Sequence, residues 1–406
     1  MKKIAPFAAA YFTAVLLGVG LLWFVSLIPQ SILTEHWQED REEDFRFGPF
    51  RLVVMGDYGT YLDDYTDNMK IEIAYRLNEQ SVFTPTAYIG YIDEEYDYGR
   101  YWHGYCIVIR PLLVFFNLSQ IKILAGGVNL VLFVLLIIQL IRKGGASIAA
   151  ALLLAAYITN FYIQLLSLQY FNCTFFSLLF SLAFVTRQEL YEKYKYLIFF
   201  VIGLLVCYFD FLTFESVTLS LPLLLSEALS GGKDRMSVRI RRIAGVSVLW
   251  LLGYASMFVT KWLLYIAAGG AKELILYKVV QRTTGSNTTQ QFTVTDSLAL
   301  NFGMLKHLSF ENWYIVLICC SVLWLLYVYL ARGIHKEWKG NIFLLLIGLI
   351  PVMRLILVRE HSASHAGFAY HALLTAVAVV VYPFVQLLGE LFVVIKKRFS
   401  LGRGYK

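Results

Sequence analysis

The chain contains few charged residues. Of its 406 residues only 16% are Asp, Glu, Lys or Arg, whereas 58% are hydrophobic and the mean hydropathy is +0.62. Soluble domains contain about 25% charged and about 45–50% apolar residues. This shortage of charge excludes an ordinary soluble protein and a disordered chain. It indicates a protein that crosses a membrane several times.

Several common chemical signatures are also missing. The five cysteines stand apart without a CxxC pair or a His-rich spacing, so they indicate neither a disulfide framework nor a zinc site. The sequence has no Walker loop, no GxGxxG and no GxSxG, the signatures of ATP binding, dinucleotide binding and serine hydrolysis. It has no RNP, helix-turn-helix or zinc-finger pattern, which argues against nucleic-acid binding.

The sequence does contain many apolar runs of the length that a membrane requires, about 20 residues each. We therefore predict an all-α polytopic membrane protein with about ten transmembrane helices. The first run follows Lys2 and Lys3 and is too long for a cleaved signal peptide. The predicted spans are 4–27, 121–141, 146–165, 171–186, 196–214, 216–230, 243–267, 312–331, 341–358 and 367–395.

Positive charge is distributed unevenly between the connecting segments. Every segment predicted to be cytoplasmic is basic, whereas residues 29–104 contain 16 acidic and 6 basic residues, a net charge of −10. The positive-inside rule therefore predicts cytoplasmic termini. The predicted parts are a first transmembrane helix (1–28), a large extracytoplasmic loop with amphipathic interfacial helices (29–120), helices two to seven (121–267), a second extracytoplasmic loop (268–311), and helices eight to ten with a basic cytoplasmic tail (312–406).

The first outer loop has a concentration of carboxylates at the start of a predicted helix. Within residues 62–79 an apolar residue recurs every four positions, which predicts an amphipathic helix lying on the membrane surface. Asp57, Asp63, Asp64 and Asp67 lie within eleven residues of one another. They fit a solvated acidic helix start, or a catalytic base or divalent-metal site beside the lipid. We favour the second interpretation, because other polar features occur on the same side.

One of these features is the segment 88–113, which is rich in Tyr and Trp and contains Arg100, His103 and Arg110. Aromatic residues with arginines that reach outward are typical of a membrane interface. The same residues also fit a groove in which aromatic rings stack on a sugar and arginines bind phosphate. The sequence leaves both interpretations open.

Further charged residues lie in or near the outer halves of later spans. Lys261 and Arg354 are inside predicted spans, and Arg359, His361 and His365 follow Arg354. A charge at the centre of a spanning helix costs about 2.5–3.5 kcal/mol, so such residues usually pair, face a wet cavity or serve a function. We predict one polar cavity that opens at the outer leaflet.

Structural alternatives apply to these residues as well. Lys261 fits an ion pair with Asp210 or Glu215, and Arg354 fits a side chain that extends to the outer surface. The i, i+4 spacing of His361 and His365 suits a metal pair on a helix. It equally suits a solvated junction, since the sequence shows no third ligand.

The order of these features resembles the GT-C superfamily of polytopic glycosyltransferases, which use lipid-phosphate sugars. The shared features are a short cytoplasmic N-terminus, a first span, a long outer loop with an acidic motif, about ten spans and a second large outer loop. The stretches LDDYTDNMKIEIAYRLNEQ (62–80), YGRYWHGY (98–105) and IRPLL (109–113) also look like those of bacterial membrane proteins of this kind.

The resemblance implies an inverting transfer of a sugar from a polyprenyl-phosphate carrier, such as undecaprenyl phosphate, to an envelope glycan, lipid or protein outside a bacterial plasma membrane. An Asp of the first outer loop would be the base. In better-known members that Asp follows the first span closely, whereas the cluster here lies more than thirty residues further on, so the choice among the four stays open.

The expected site residues have three roles. The base would be Asp64, Asp63, Asp67 or Asp57. The donor would be bound by Arg110, Lys261, Arg354, Arg359, His103 and Arg100. A divalent metal, Mn²⁺ or Mg²⁺, would have Asp63, Asp67, His361 and His365 as candidate ligands. Two other functions remain, a transporter or flippase of a lipid-linked glycan and a non-catalytic envelope-assembly protein. The absence of an inverted repeat favours transfer over transport.

Overall fold

The computed structural model describes residues 4–42, 65–89, 92–230, 234–285, 291–305 and 338–402. The first half contains α1 (Ala5–Ser26), α2 (Gln30–Glu42), α3 (Tyr65–Tyr75), β1 (Thr86–Ile89), β2 (Ile92–Asp97), α4 (Cys106–Leu112), α5 (Leu118–Arg142), α6 (Ala146–Ile158), a 3₁₀ helix (Phe161–Leu165) and α7 (Leu168–Thr186). The second half contains α8 (Gln188–Phe209), α9 (Val217–Leu229), α10 (Met236–Ala267), α11 (Lys272–Thr284), α12 (Val294–Gly303), α13 (Trp338–Leu357), α14 (Arg359–Ser364), α15 (Ala366–Ala369), a 3₁₀ helix (Tyr370–Leu373) and α16 (Leu374–Gly402).

Five helical stretches in the described part are long and apolar enough to cross a membrane. They are α1, α5, α7, α10 and residues Ala366–Glu390, which include α15 and the first part of α16. The helices α6 and α9 and residues Phe343–Leu357 of α13 are apolar but shorter. This confirms an all-α protein with membrane-type helices. The count of about ten spans stays a prediction, because residues 312–331 lie outside the described part.

The predicted span 146–165 divides into two pieces. The helix α6 ends at Ile158, Asn160 adopts a left-handed conformation with φ +53°, and a 3₁₀ helix follows. The 13 residues of α6 extend about 20 Å, which is less than the hydrocarbon thickness of about 30 Å. The 3₁₀ helix that follows packs against α5, α6 and α7.

The helices α8 and α10 form the most extensive helix pair. A Cβ atom on Gly203 would lie 2.1 Å from the carbonyl oxygen of Trp250, and one on Gly253 would lie 2.2 Å from that of Phe200. The two backbones are therefore in direct contact, as small residues permit in membrane helices. The helix α5 packs on α7, α7 packs on α9, and α16 packs on α6 and α13.

The helix α3 is buried inside the molecule. Met69, Ile73 and Leu77 are buried, as the apolar stripe predicts, but so are Asp67 and Lys70 on other faces. The helix contacts α4, α7 and β1. The burial of several faces lends no support to an interfacial position for the described residues 65–75, and that position stays a prediction. Asp67 pairs with Lys122, and Lys70 donates to the carbonyl oxygen of Leu168, so both find partners within the bundle.

The segment between α3 and α4 is also part of the bundle. The strands β1 and β2 form an antiparallel hairpin in which Thr86 lies opposite Asp97. After the hairpin, Trp102 is almost fully buried, and its indole N–H donates a hydrogen bond of 2.7 Å to the carbonyl oxygen of Met257 on α10. The segment 98–105 is thus anchored to the long apolar helix α10.

Candidate functional site

Several of the polar residues singled out in the sequence lie at one end of the bundle: Arg100, His103, Lys261, Arg354, Arg359, His361 and His365. We call it the hairpin end; it comprises β1 and β2, residues 98–105, the turn 210–216, and α11, α12 and α14. The Gly104 N–H donates a 2.9 Å hydrogen bond to the carbonyl oxygen of Tyr208, and the ring of Phe211 packs against the rings of Tyr101 and His103. Segments distant in the sequence therefore form one surface.

Arg354 ties the turn 210–216 to α14. Its Nε lies 3.3 Å from Glu215 Oε1, and its other nitrogens donate to the carbonyl oxygens of Leu212 and Thr213 and to Ser362 Oγ at 2.8–2.9 Å. Arg354 is buried. It pairs with Glu215 instead of extending to the outer surface, and its nitrogens are engaged by the protein itself.

Arg110 is fully buried at the end of α3. One terminal nitrogen donates to the carbonyl oxygens of Ala74 and Tyr75, the latter at 2.7 Å, and the other donates to that of Ile28. The last carbonyls of a helix have no partner within it. Arg110 supplies that partner for α3 and connects it to the end of α1, so the structure shows a structural contact where a donor-phosphate contact was predicted.

Lys261 is a buried cation of α10. Its Nζ donates a 2.8 Å hydrogen bond to the carbonyl oxygen of Phe83 and lies 5.6 Å and 5.9 Å from the ring centres of Phe83 and Trp102. The alternative of an ion pair with Asp210 or Glu215 is therefore wrong. Lys261 fastens the hairpin to the bundle.

Asp67 is the one member of the predicted carboxylate cluster that the structure describes. Its Oδ1 accepts hydrogen bonds from Ser167 Oγ at 2.9 Å and from the Gln169 N–H at 2.8 Å, and its Oδ2 accepts from the Leu168 N–H at 3.2 Å. Lys122 Nζ lies 3.0 Å from the same Oδ2. Asp67 thus caps the start of α7 and neutralises Lys122. These contacts lend no support to a catalytic or metal role for Asp67, and Asp57, Asp63 and Asp64 lie outside the described residues.

Arg359 connects α14 to the end of α11 and to the residue before the N-cap of α12. Its Nε donates to the carbonyl oxygen of Phe292 at 3.1 Å, and a terminal nitrogen donates to that of Thr284 at 3.2 Å. The rings of His361 and His365 lie 4.7 Å apart, and His361 Nε2 donates to the carbonyl oxygen of Leu212. Across the ranges that the structure describes, no three His, Cys, Asp or Glu side chains converge to hold a metal ion. The metal role of the histidines stays a prediction.

His103 is buried among aromatic rings and has a left-handed backbone, with φ +56°. Its Nε2 donates to the carbonyl oxygen of Tyr98 and its Nδ1 accepts from the Tyr105 hydroxyl, both at 2.9 Å. Burial lowers the pKa of His103 well below its usual range, and Lys261 adds to this effect. The neutral imidazole of His103 therefore has a structural role: its two hydrogen bonds hold Tyr98 and Tyr105 in place.

A groove of about 280 Å³ lies between α10, α11 and residues 100–101 at the hairpin end. Most of its lining is apolar. The lining includes Tyr101, Leu212, Phe258, Val259, Trp262, Ile275, Val279 and Val358. Val259 is 49% exposed and continues the exposed apolar face that contains Leu252 and Leu263. The groove is therefore continuous with the side of α10 that a lipid would contact.

Three cations line this groove: Arg100, Lys278 and Arg282, which we call the groove cations. The guanidinium carbons of Arg100 and Arg282 lie 4.8 Å and 5.6 Å from the ring centre of Tyr101. Among the side chains that the structure describes, none of the three has a carboxylate within ion-pair distance. Arg100 donates to the carbonyl oxygen of Asp97 at 2.8 Å, and Lys278 donates to Gln281 Oε1 at 3.0 Å. Burial lowers the pKa of Lys278, and the charges of Arg100 and Arg282 lower it further.

Lys278 and Arg282 are functional candidates that the sequence analysis missed. Their i, i+4 spacing on α11 is a signal that they share a helix face. Arg100 was predicted to bind the donor, and the structure places it in the groove. Nothing in the sequence indicates that Arg100 lies opposite α11, because that arrangement depends on how the loops fold together.

Tyr265 fixes the distance between the two sides of the groove. Its hydroxyl donates to an Asp97 carboxylate oxygen and accepts from the Ala271 N–H at 3.2 Å. A Cβ on Gly99 or on Gly270 would lie 2.5 Å or 2.3 Å from the Tyr265 ring. The segment before Arg100 and the start of α11 are therefore both packed on one aromatic ring.

Comparison with protein-family models, curated proteins and solved structures gives no match. The likeness to the GT-C superfamily therefore rests on the sequence pattern alone. The groove, its apolar lining and its cations are the features from which a function can be argued.

Proposed function

We propose that this protein is a membrane glycosyltransferase of GT-C type, which moves a sugar from a polyprenyl-phosphate carrier to a cell-envelope acceptor. One observation carries the proposal: an apolar groove that is continuous with the lipid-facing side of α10 also contains three cations without a carboxylate partner among the described residues. A lipid phosphate combines the two matching properties, an apolar tail and a compact negative charge.

The groove cations match the recognition of phosphate rather than that of a neutral ligand. Arginine presents a planar fork of donors to phosphate oxygens, and lysine adds a point charge. The cations Lys278 and Arg282 lie on α11, and Arg100 lies on the opposite segment, so a phosphate between them would contact both sides. Arg110, Lys261 and Arg354 do not line the groove, so this task falls to the groove cations.

In the proposed reaction the bond between the anomeric carbon and the phosphate oxygen breaks as the acceptor oxygen attacks the opposite face of the sugar. Negative charge then accumulates on the departing phosphate, where cations stabilise it. The acceptor hydroxyl gives its proton to a carboxylate. We assign the base to Asp57, Asp63 or Asp64 and regard Asp67 as the residue that holds α3 in place.

A bacterial plasma membrane with the hairpin end outside and both termini in the cytoplasm fits this proposal. The acidic composition of residues 29–104 and the basic composition of the predicted cytoplasmic segments support the orientation. Outside the plasma membrane a nucleotide sugar is not supplied, whereas a lipid-linked sugar is already present in the outer leaflet as a donor.

A lipid-glycan transporter is the second candidate, and one observation favours it. Within the described part, Asn160 Oδ1, Gln164 Nε2 and His371 Nε2 are buried without a hydrogen-bond partner where α6 gives way to a 3₁₀ helix. Interrupted helices with free polar groups occur in the substrate sites of transporters.

The test is donor turnover by the purified protein. Radiolabelled polyprenyl-phosphate sugars are mixed with envelope acceptor, with and without Mg²⁺ or Mn²⁺. We expect label to move from the lipid to the acceptor, and we expect Arg282→Met to slow this at least tenfold. Lys272→Met is the matched control, because Lys272 is on the same helix with a side chain 73% exposed and does not line the groove. Saturable lipid binding without turnover would favour transport instead.

A further inference from the structure

We propose that the ligand of the groove carries a diphosphate between its lipid and its sugar, rather than a single phosphate. This inference rests on the proposed function, since it names the class of donor that the same site takes. It is carried by the arrangement of charge around the groove.

The first argument is the balance of charge. The groove has three cations, and no described carboxylate forms an ion pair with any of them. A lipid-phosphate sugar is a phosphodiester with one negative charge, whereas a lipid-diphosphate sugar has two. The first would leave two positive charges uncompensated and the second would leave one. Because the groove is partly buried, repulsion between uncompensated charges is screened less than at an open surface.

The second argument is the placement of the cations on two sides. Lys278 and Arg282 are one turn apart on α11, and Arg100 approaches from the segment after β2. The guanidinium groups of Arg100 and Arg282 both lie near the ring of Tyr101, which is itself buried. A single phosphate would share its oxygens among all three cations, whereas two linked phosphates give each side of the groove a phosphate of its own. The two arginines lie near the same Tyr101 ring in spite of their like charge.

The third argument concerns the source of the diphosphate. A soluble nucleotide sugar also carries a diphosphate, but it would need polar partners for its base and ribose. The groove instead offers Phe258, Val259 and Trp262, and Val259 continues the apolar face of α10. The apolar lining therefore favours a lipid-linked diphosphate.

The test compares matched ligands on the full-length protein in nanodiscs. One polyprenyl chain is joined to one sugar through a phosphate or through a diphosphate, and inorganic diphosphate is a third ligand. We expect the diphosphate lipid to bind about tenfold more tightly than the monophosphate lipid, which corresponds to about one additional partly screened charge pair. Inorganic diphosphate should bind far more weakly than the diphosphate lipid.

Two variants test whether Lys278 causes this preference. We expect Lys278→Met to reduce the preference to about threefold or less, because one of the three charges is then missing. Lys272→Met, on the exposed side of the same helix, should leave it unchanged. Thermal melting of both variants shows whether each is folded.

The possible outcomes separate this inference from the proposed function. Equal affinity for the two lipids, together with turnover of a monophosphate donor, would overturn the proposal of a diphosphate ligand but not that of a glycosyltransferase. If inorganic diphosphate binds as tightly as the diphosphate lipid, the proposal that the ligand is lipid-linked is overturned. Failure of every phosphate ligand to bind would overturn both proposals.

Discussion

Four of the cations that the sequence singles out make structural contacts, and three of them are buried. Arg110, Lys261, Arg354 and Arg359 all donate to backbone carbonyl oxygens. In a membrane protein those carbonyls have little access to water and need a donor from within the protein. A lysine or arginine at the outer end of a span therefore does not by itself indicate a ligand site. A place in the lining of a groove, without a carboxylate partner among the side chains that the structure describes, is the better criterion, and only the folded structure reveals it.

At the scale of single residues, Asp67 allows a direct test of a structural role. Replacement of Asp67 by Ala would leave Lys122 buried without its partner and the start of α7 without its cap. Breaking a buried pair in this way costs about 3–5 kcal/mol. We expect Asp67→Ala to lower the yield of folded protein strongly, measured by size-exclusion chromatography and thermal melting in detergent.

Double replacement provides the control for this prediction. Removal of both charges, by Asp67→Asn together with Lys122→Met, should recover a large part of the folded protein, because no buried charge is then unpaired. If Asp67→Ala melts like the wild type yet loses transfer, Asp67 belongs with the catalytic residues after all.

At the scale of helices and strands, the sequence predicts the ends of those helices whose length is set by a long apolar run. The ends of α1, α5 and α7 lie within a few residues of the predicted spans, because burial of the backbone in lipid requires a long uninterrupted helix. Residues 146–165 show the limit of this reasoning. The run is mostly apolar, yet the chain leaves the α-helix after Ile158, at Asn160, which adopts the left-handed conformation that Asn tolerates better than most residues.

The helix α3 shows a second limit. Its apolar residues recur at helical spacing, and the helix exists, but its burial depends on the pairing of Asp67 with Lys122 at one end and on the contacts of Arg110 at the other. These contacts join residues that are far apart in the sequence, so no local pattern reveals them. For the same reason the sequence gives Arg100 as a candidate but not its neighbours Lys278 and Arg282.

The contact between α8 and α10 leads to a prediction for a whole element. Gly253→Ala would push a Cβ against the Phe200 carbonyl, at 2.2 Å in the present backbone, so the helices must separate. We expect the melting temperature to fall by several degrees, as a loss of about 1–3 kcal/mol from overpacking implies. Gly127→Ala is the matched control, since a Cβ there meets nothing within 4 Å. Equal melting temperatures of the two variants would contradict this account of the helix pair.

At the scale of the whole molecule, the orientation in the membrane can be tested with single cysteines. Lys272 lies at the hairpin end, and Gln188 starts α8 at the opposite end; both are exposed. We expect a membrane-impermeant maleimide to label Lys272→Cys in intact cells, and to label Gln188→Cys only after the cells are permeabilised. The described native cysteines are buried, and the unmodified protein measures the background.

The reverse labelling pattern would place the groove on the cytoplasmic side. In that case the basic segments would lie outside, against the positive-inside rule, and a donor in the outer leaflet would not reach the groove cations. The experiment thus tests the orientation on which the proposed function depends, without requiring any ligand.

The side opening of the groove along α10 determines by which route a lipid ligand would reach the protein and which concentration sets its binding. Such a ligand arrives by two-dimensional diffusion, so its mole fraction among the surrounding lipids sets the occupancy of the site. A modest intrinsic affinity would then be enough, because the bilayer concentrates the ligand. After transfer, the carrier without its sugar would remain in the same leaflet and compete with fresh donor for the groove. The rate at which other proteins remove that carrier from the leaflet would therefore limit turnover.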